Sequence, residues 1–410
     1  MTDKLSNSDS KSSAEQLASF GGGKLFERPR STSNLLRPDF DKYMAYSKTF
    51  FDSQRYTNNG PNVRLLEERL AKLHEVNYCV TFCSGFWGLV ATISAVALKG
   101  KSELIMPSLT YRRMAEIASW SKLTPHFCDV SEQTLAMTAK TVEPCINDNT
   151  AAILAAHPIV NCCDVEGLTE LARKRNIPLI FDSVESLYET VPGGKVGGFG
   201  TAEGFSLHAC KLLNGGGGGY ITTNDKALAK KLKSVRSFGY DGLDNIVVDQ
   251  GFNAKLNEMH AAMTLASLDD IETQVASNKA NYQLYQEQLE DVKGIRLIEF
   301  DSHYQSGYKN IVVELLDEWP LSREVTIKLL NEENILARTY YSPPLHHKTR
   351  EFEHISAQLT VTDSLAKRFV NLPCGQRVNG QDIKQIIGFL KFIFNYSESI
   401  KQKIKQHESS

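Results

Sequence analysis

The chain of 410 residues carries 46 Lys and Arg against 48 Asp and Glu, a net charge of −2 with 23% of residues charged. That length holds a large domain plus a smaller one at roughly 100–200 residues per domain, and the balance of charge excludes the broad single-sign field that would collect nucleic acid or an anionic membrane surface. Eight cysteines are too few and too scattered for a disulfide scaffold; without a C-x-x-C pair, or a second ligand pair beside Cys79 and Cys83, they read as reduced core thiols of a cytoplasmic protein, with no metal centre expected.

No apolar run approaches the ~20 residues needed to cross a bilayer. Residues 1–13 are rich in Ser, Lys and Asp, which predicts neither a secretory signal nor a share of the core. With Gly21-Gly22-Gly23 behind them, residues 1–33 are expected to form a flexible arm. A large domain over 34–270 and a small one over 271–410, with a bridging helix, should follow.

Pro38-Asp39-Phe40 predicts a helix start, with Phe40, Tyr43 and Met44 at helical spacing up to residue 53. Asn58-Asn59-Gly60-Pro61 is a turn signal, and Asn62 is expected to cap a helix over 63–74 whose Leu65, Leu66, Leu70 and Leu73 keep a helical period. From residue 78 short apolar runs alternate with helices: strands at 78–82, 103–106, 125–128, 152–155 and 178–181, helices at 87–98, 113–121 and 165–176. Strands apolar on both faces predict a mostly parallel sheet between helical layers, and such sheets take ligands beyond the carboxyl ends of their strands. Those ends lie at Ser84, Pro107, His157 and Asp182.

A further strand, Tyr220-Ile221-Thr222-Thr223, is followed by a helix that opens at Asp225. The helical stretch over 257–289 is long enough to bridge two domains. The remainder reads as a small α+β unit, with the strand Ile311-Val312-Val313, a helix over 323–331, a loop rich in Tyr, Pro and His over 340–347, and helices around 366 and over 383–394.

The chemistry sits in Phe205-Ser206-Leu207-His208-Ala209-Cys210-Lys211 and in Asp182. A lysine amine with a pKa of about 10.4 is a poor nucleophile at neutral pH, but partial burial lets it capture an aldehyde. An aspartate closing an apolar strand can keep a pyridinium nitrogen protonated, so that the ring draws electrons. Ser84-Gly85-Phe86 precede a helix and offer amide N–H groups to a phosphate; Ser206, on a strand face shared with His208, adds a hydroxyl. Singly, each has a plainer reading: loop lysines are mostly solvated charges, and strand-end aspartates and Ser-Gly pairs mostly cap helices or turns. Together they outline the floor of a pyridoxal 5'-phosphate site.

Asn58-Asn59-Gly60-Pro61, Ser84-Gly85, Pro107-Ser108-Leu109-Thr110-Tyr111, His157-Pro158, Asp182, the Ser206 to Lys211 stretch, Gly218-Gly219-Tyr220-Ile221-Thr222-Thr223 and Gly251-Phe252-Asn253-Ala254-Lys255-Leu256 occur in that order. In this they resemble the landmarks of the DegT/DnrJ/EryC1/StrS aminotransferases. The resemblance implies an α/β protein of pyridoxal phosphate fold type I, like aspartate aminotransferase, with a mostly parallel sheet and a smaller C-terminal domain. It also implies a homodimer with its site at the subunit interface, moving an amino group from an amino acid such as glutamate onto a keto sugar nucleotide. By position, Lys211 resembles the cofactor-bearing lysine, Asp182 the partner of the pyridine nitrogen, and Tyr111 the aromatic that stacks on the ring. Ser84, Gly85, Phe86 and Ser206 resemble the phosphate binders, and Asn253 and Lys255 the loop that reaches into the neighbouring subunit. Asn253-x-Lys255, Tyr340-Tyr341-Ser342-Pro343 and His346 are most similar to the branch that makes 4-amino-4,6-dideoxy sugars. His157, His208, Tyr340, Tyr341 and His346 are expected to line the substrate. The chain departs from the pattern at Glu185, where the family has Gln or His near the cofactor's phenolic oxygen, at Phe86, at Pro158-Ile159-Val160 and at Gly217. A carboxylate beside a phenolate is a like-charge contact, so Glu185 should carry a proton or point elsewhere. A keto cyclitol is the alternative substrate, and a dehydratase the alternative reaction. The sugar 3-dehydratases of the family have His where this chain has Lys211.

Overall fold

The structure, a computed structural model, describes residues 11–33, 37–243, 245–347 and 353–408. Seven strands build most of the large sheet: β1 (Tyr78–Phe82), β2 (Glu103–Pro107), β3 (Thr124–Cys128), β4 (Thr150–Ala156), β5 (Leu179–Asp182), β6 (Ala202–Ser206) and β7 (Gly219–Thr223). The order across the sheet is Ile355–Ser356, β3, β2, β4, β5, β6, β7, β1. Only β7 runs antiparallel to its neighbours. Every residue of β2 and β4 is buried, and alternate side chains divide between two cores. Ile105, Ile153 and Phe181 enter one, Leu104, Leu154 and Ile180 the other. Helices covering both faces are why these strands read as unbroken apolar runs.

Register brings the functional ends level. Ala156 lies opposite Asp182, and Asp182 opposite Gly204, so β4, β5 and β6 finish on one edge of the sheet.

Three helices begin where their caps predict. Asp39 accepts the Lys42 N–H, Ser84 that of Trp87, and Asp225 those of Ala227 and Leu228. Asn62 is not the cap expected of it. The helix Pro61–Leu73 starts two residues earlier with Gly60 as its cap, because proline suits the first helical position. The backbone N–H groups of Asn62 and Val63 donate to the Glu258 carboxylate at 2.7 and 3.1 Å, so a distant acid closes this helix end. The stretch over 257–289 is two helices, Glu258–Asp269 and Ile271–Leu289, separated at Asp270 with φ −107°.

A second, antiparallel sheet runs Ile295–Leu297, Ile311–Leu315, Phe369–Leu372, Arg338–Thr339. The helices Ile271–Leu289 and Gly380–Asn395 pack on one another beside it. The arm expected to be loose is packed onto this unit over residues 11–33. Ala14, Leu17 and Phe26 are buried in its core, and Arg30–Ser31 pairs in parallel with Ile335–Leu336. The buried Glu333 carboxylate accepts the N–H groups of Ala18 and Leu25 at 2.8 and 2.7 Å. Three apolar anchors too widely spaced to form a period are hidden in polar composition. Residues 1–10 lie outside the described residues.

Candidate active site

The carboxyl ends of the central strands open on a cleft of ≈ 740 Å³ whose lining includes Tyr111, Glu185, Lys211, Lys309, Arg338 and Tyr341. Lys211 is set by a tight turn in which its N–H donates to the His208 carbonyl at 2.9 Å, while Leu207 N–H donates to Gly218 at 2.9 Å. Its ammonium pairs with Glu185. The second Glu185 oxygen pairs with Lys309 Nζ at 2.9 Å, and that Nζ also donates to Asn310 Oδ1 at 3.3 Å. Burial alone would push the Glu185 carboxyl up, but the charges of Lys211 and Lys309 bring it well below the usual carboxylate range. For Lys309 burial works downward and the Glu185 charge outweighs it, so the ammonium is raised.

Asp182 has a different environment. Its Oδ1 accepts the Val184 N–H at 3.2 Å, and burial pushes the carboxyl up to about 7, with that N–H and the Lys211 charge working against the rise. A half-buried carboxylate held by one backbone donor, with Lys211 paired to Glu185 instead, has room for a closer cation, and a protonated pyridine nitrogen is a group that would supply one.

The phosphate-type cradle is built from close backbone contact. Ser84 Oγ caps the helix Gly85–Val96. A Cβ on Gly85 would meet the Phe205 carbonyl oxygen at 2.7 Å, and one on Gly219 the Gly85 nitrogen at 2.1 Å. Gly218, at φ +110°, turns the chain into β7. The helix N-terminus is thus held against the end of β6, where Ser206 Oγ accepts the His208 N–H at 3.2 Å. An amide edge with a hydroxyl beside it suits a phosphate dianion. Amine, acid and cradle together fit pyridoxal phosphate.

Of the other expected residues, Tyr111 (51% exposed) and Tyr341 line the cleft. Phe86 packs edge-to-face on Trp87 at 5.4 Å. His157 is not a lining residue. Its ring stacks on Phe181 at 5.5 Å, its Nδ1 accepts the Cys163 N–H at 3.2 Å, and burial lowers it to about 3, a neutral group under the sheet. One residue past the end of β4 its side chain still points into the helix-covered core, which a strand-end argument alone does not reveal. Tyr340 is buried, its hydroxyl accepting the Ile159 N–H at 3.2 Å, so it supports the wall that Tyr341 forms. His208 is exposed, with Nδ1 3.1 Å from Cys210 Sγ. His346 faces Ser108 and Asp363, and its neighbour His347 lines the cleft. Asn253 bridges to Ser237, and Lys255 Nζ sits 5.2 Å from the centre of the Phe238 ring, and neither lines the cleft.

Lys309 and Asn310 are the functional pair that sequence reasoning missed. They stand just before the buried strand Ile311–Leu315, and a Lys-Asn leading into an apolar run was the available signal. Arg112, Arg113 and Arg338 add cations to the same wall.

The model of the DegT/DnrJ/EryC1/StrS aminotransferase family matches residues 41–391. The chain belongs to that family. As a DegT/DnrJ/EryC1/StrS member it is a pyridoxal phosphate-dependent aminotransferase of fold type I, and its mostly parallel, helix-covered sheet agrees. The crystal structure of DesI in the presence of its TDP-sugar product superposes with a TM-score of 0.90 at 30% identity, covering 96% of this chain and 100% of that one. The dTDP-4-amino-4,6-dideoxy-D-glucose transaminase of Shigella dysenteriae is 27% identical over 317 residues, 77% of this chain and 86% of the relative. The GDP-perosamine synthase of Vibrio cholerae is 23% identical over 353 residues, 85% and 95% of the two chains. The Escherichia coli GDP-4-keto-6-deoxy-D-mannose-3-dehydratase shares the fold, with a TM-score of 0.80 at 20% identity over 89% of this chain and all of that one. No helix among the described residues is long and apolar enough to cross a membrane.

Proposed function

We propose that this chain transfers an amino group from an amino acid, L-glutamate, to the keto carbon of a nucleotide-linked 4-keto-6-deoxy sugar. The observation that carries the reading is that β5 and β6, neighbours in the sheet, bring Asp182 at the end of one and Lys211 in the turn after the other close enough for the Lys211 charge to act on the Asp182 carboxyl, beside a cleft whose wall holds Lys309, Arg112, Arg113 and Arg338. That cationic wall suits a diphosphate and a donor carboxylate. The dTDP-4-amino-4,6-dideoxy-D-glucose transaminase and the GDP-perosamine synthase named above support the same substrate class.

When bound, pyridoxal phosphate supplies an aldehyde that captures amines and a ring that takes up the electron pair of the reacting carbon. Ser84, Gly85, Phe86 and Ser206 would hold its phosphate, Tyr111 its ring face, and Asp182 its ring nitrogen. Asp182 stays ionised against that nitrogen, which keeps the ring an electron acceptor. Lys211 Nζ, released from its pair with Glu185, would hold and move the proton at the reacting carbon of the donor or substrate. Glu185 keeps its Lys309 partner meanwhile, so no uncompensated carboxylate is left in the floor.

The reading includes a homodimer, with Asn253 and Lys255 reaching the neighbouring subunit's site. Phe238, Leu243 and Ile246 nearby are 50%, 80% and 65% exposed, an apolar surface that a second copy would cover. It places the large domain at 34–270, the small one at 271–410, and the protein in the cytoplasm.

The test is a purified protein with a visible cofactor band that shifts on adding L-glutamate. Mass spectrometry should then find oxygen replaced by NH in a dTDP- or GDP-linked 4-keto-6-deoxy sugar. Lys211→Ala should lose both signals. A protein that stays colourless with added pyridoxal phosphate, or a Lys211→Ala variant with full turnover, would overturn the reading. A cyclitol ketone aminated in place of the sugars would move it to the second substrate class, which the L-glutamine:2-deoxy-scyllo-inosose aminotransferase of Streptomyces fradiae represents at 29% identity over 246 residues, 56% of this chain and 58% of the relative.

A further inference from the structure

Beside the cleft, where His347 joins its lining, three ligand-type side chains converge. His346 and His347 end the loop that carries Tyr341, and Asp363 lies in the short helix Thr360–Leu365. His346 Nε2 is 3.2 Å and His347 Nε2 2.9 Å from Asp363 Oδ1, and the three atoms all lie within 4.8 Å of one another. Asp363 Oδ1 is out of contact with solvent. Two imidazole nitrogens and a shielded carboxylate oxygen gathered this closely are the arrangement of ligands around a common centre.

The dimensions agree with that. With metal–ligand bonds of about 2.0–2.1 Å, neighbouring ligand atoms of a tetrahedral site are about 3.3 Å apart, close to the two separations seen. His346 also has the outer partner that metal-bound histidines use. Its Nδ1 is 2.7 Å from Ser108 Oγ, which is itself held by the His346 N–H at 3.0 Å. In the tautomer with the proton on Nδ1, Ser108 accepts it and the Nε2 lone pair faces Asp363.

We propose that His346, His347 and Asp363 form a binding site for one divalent transition-metal ion of the Zn²⁺ or Co²⁺ type. Two imidazoles and one carboxylate suit such borderline ions better than Mg²⁺ or Ca²⁺, which take all-oxygen sets. The three protein ligands leave a fourth position for water or for a group of the bound substrate, and His347 belongs to the cleft lining. The ion would tie the Tyr341 loop to the helix Thr360–Leu365. Sequence alone predicts no metal here because cysteine pairs are the local signature of such a site, and this set joins adjacent histidines to an aspartate sixteen residues on.

The test uses the full chain, loaded with cofactor, free of any polyhistidine tag and stripped with a chelator. Calorimetric titration with Zn²⁺, and Co²⁺ titration read by visible ligand-field absorption, should each give one equivalent per chain. His347→Gln and Asp363→Asn should each weaken binding at least 100-fold, and Ser108→Ala about 10-fold by losing the outer partner. Circular dichroism should show all three variants folded; if Asp363→Asn does not fold, the exposed His347 carries the comparison. Binding far below one equivalent, or an affinity unchanged in His347→Gln, overturns the site.

Discussion

Glu185 is the residue at which the chain leaves its relatives, and its surroundings show how the departure is tolerated. Beside a phenolate alone it would be a like-charge contact, but between Lys211 and Lys309 it is the carboxylate of a two-ammonium group. Removing Lys309 leaves Glu185 with the Lys211 ammonium alone, so the cost stays below that of a wholly uncompensated buried charge, about 3–5 kcal/mol. Lys309→Met should therefore destabilise the cofactor-free protein in urea titrations, and Glu185→Gln in the same chain should restore part of the loss. The coupling between the two changes should be on the order of 1–3 kcal/mol; additive effects would show that Lys309 is not the counter-ion. The sequence made Glu185 and Lys211 legible because both follow strand ends, whereas Lys309 enters the site from the start of a strand in the other sheet. Nothing in local pattern ties that strand to β5.

At the scale of elements, the large sheet was legible because burial on both faces leaves no polar positions to blur the runs. The helix ends were legible where a local side chain caps them, as at Asp39, Ser84 and Asp225, and not at Asn62, where the cap comes from Glu258 nearly 200 residues away. The arm was illegible for the same reason, since its anchor is Glu333. Glu333→Ala removes the acceptor for two backbone N–H groups and should cost about 2–4 kcal/mol. Hydrogen exchange should then become fast over residues 14–26 while the large sheet keeps its protection. Equal acceleration in both regions would mean that the arm is not a separate contact unit. Gly219→Ala belongs to this scale as well. A Cβ 2.1 Å from a backbone nitrogen forces β7 away from the helix Gly85–Val96, and cofactor affinity should fall with stability, whereas Gly100→Ala, with open space around it, should leave cofactor affinity unchanged.

Across the whole molecule, buried titratable groups set opposing pH trends. Burial raises Asp182, Glu189 and Glu203 to about 7. Each has a folded value above its unfolded one, so its contribution to stability is complete below the ordinary carboxylate range and is lost as pH rises through about 7. His74, lowered to about 4 by burial, and His157, lowered to about 3, work the other way, contributing above about 6.5 and losing that contribution as pH falls. Glu203 isolates one trend. It accepts N–H groups from Gly197 and Phe199 at 2.7 and 2.8 Å, and Glu203→Gln should remove on the order of 2–3 kcal/mol from the stability difference between pH 5 and pH 8. An unchanged pH slope would contradict the raised value.

Lys211 is the residue proposed to take the cofactor, with a second lysine, Lys309, held close by in the same floor. Reducing the holoprotein with borohydride fixes the carbon–nitrogen bond to whichever amine carries the cofactor, and peptide mass spectrometry then reads its position. The label should fall on the peptide containing Lys211, with Lys309 unmodified. A label on Lys309, or no label on a protein that shows the visible band, would contradict that assignment.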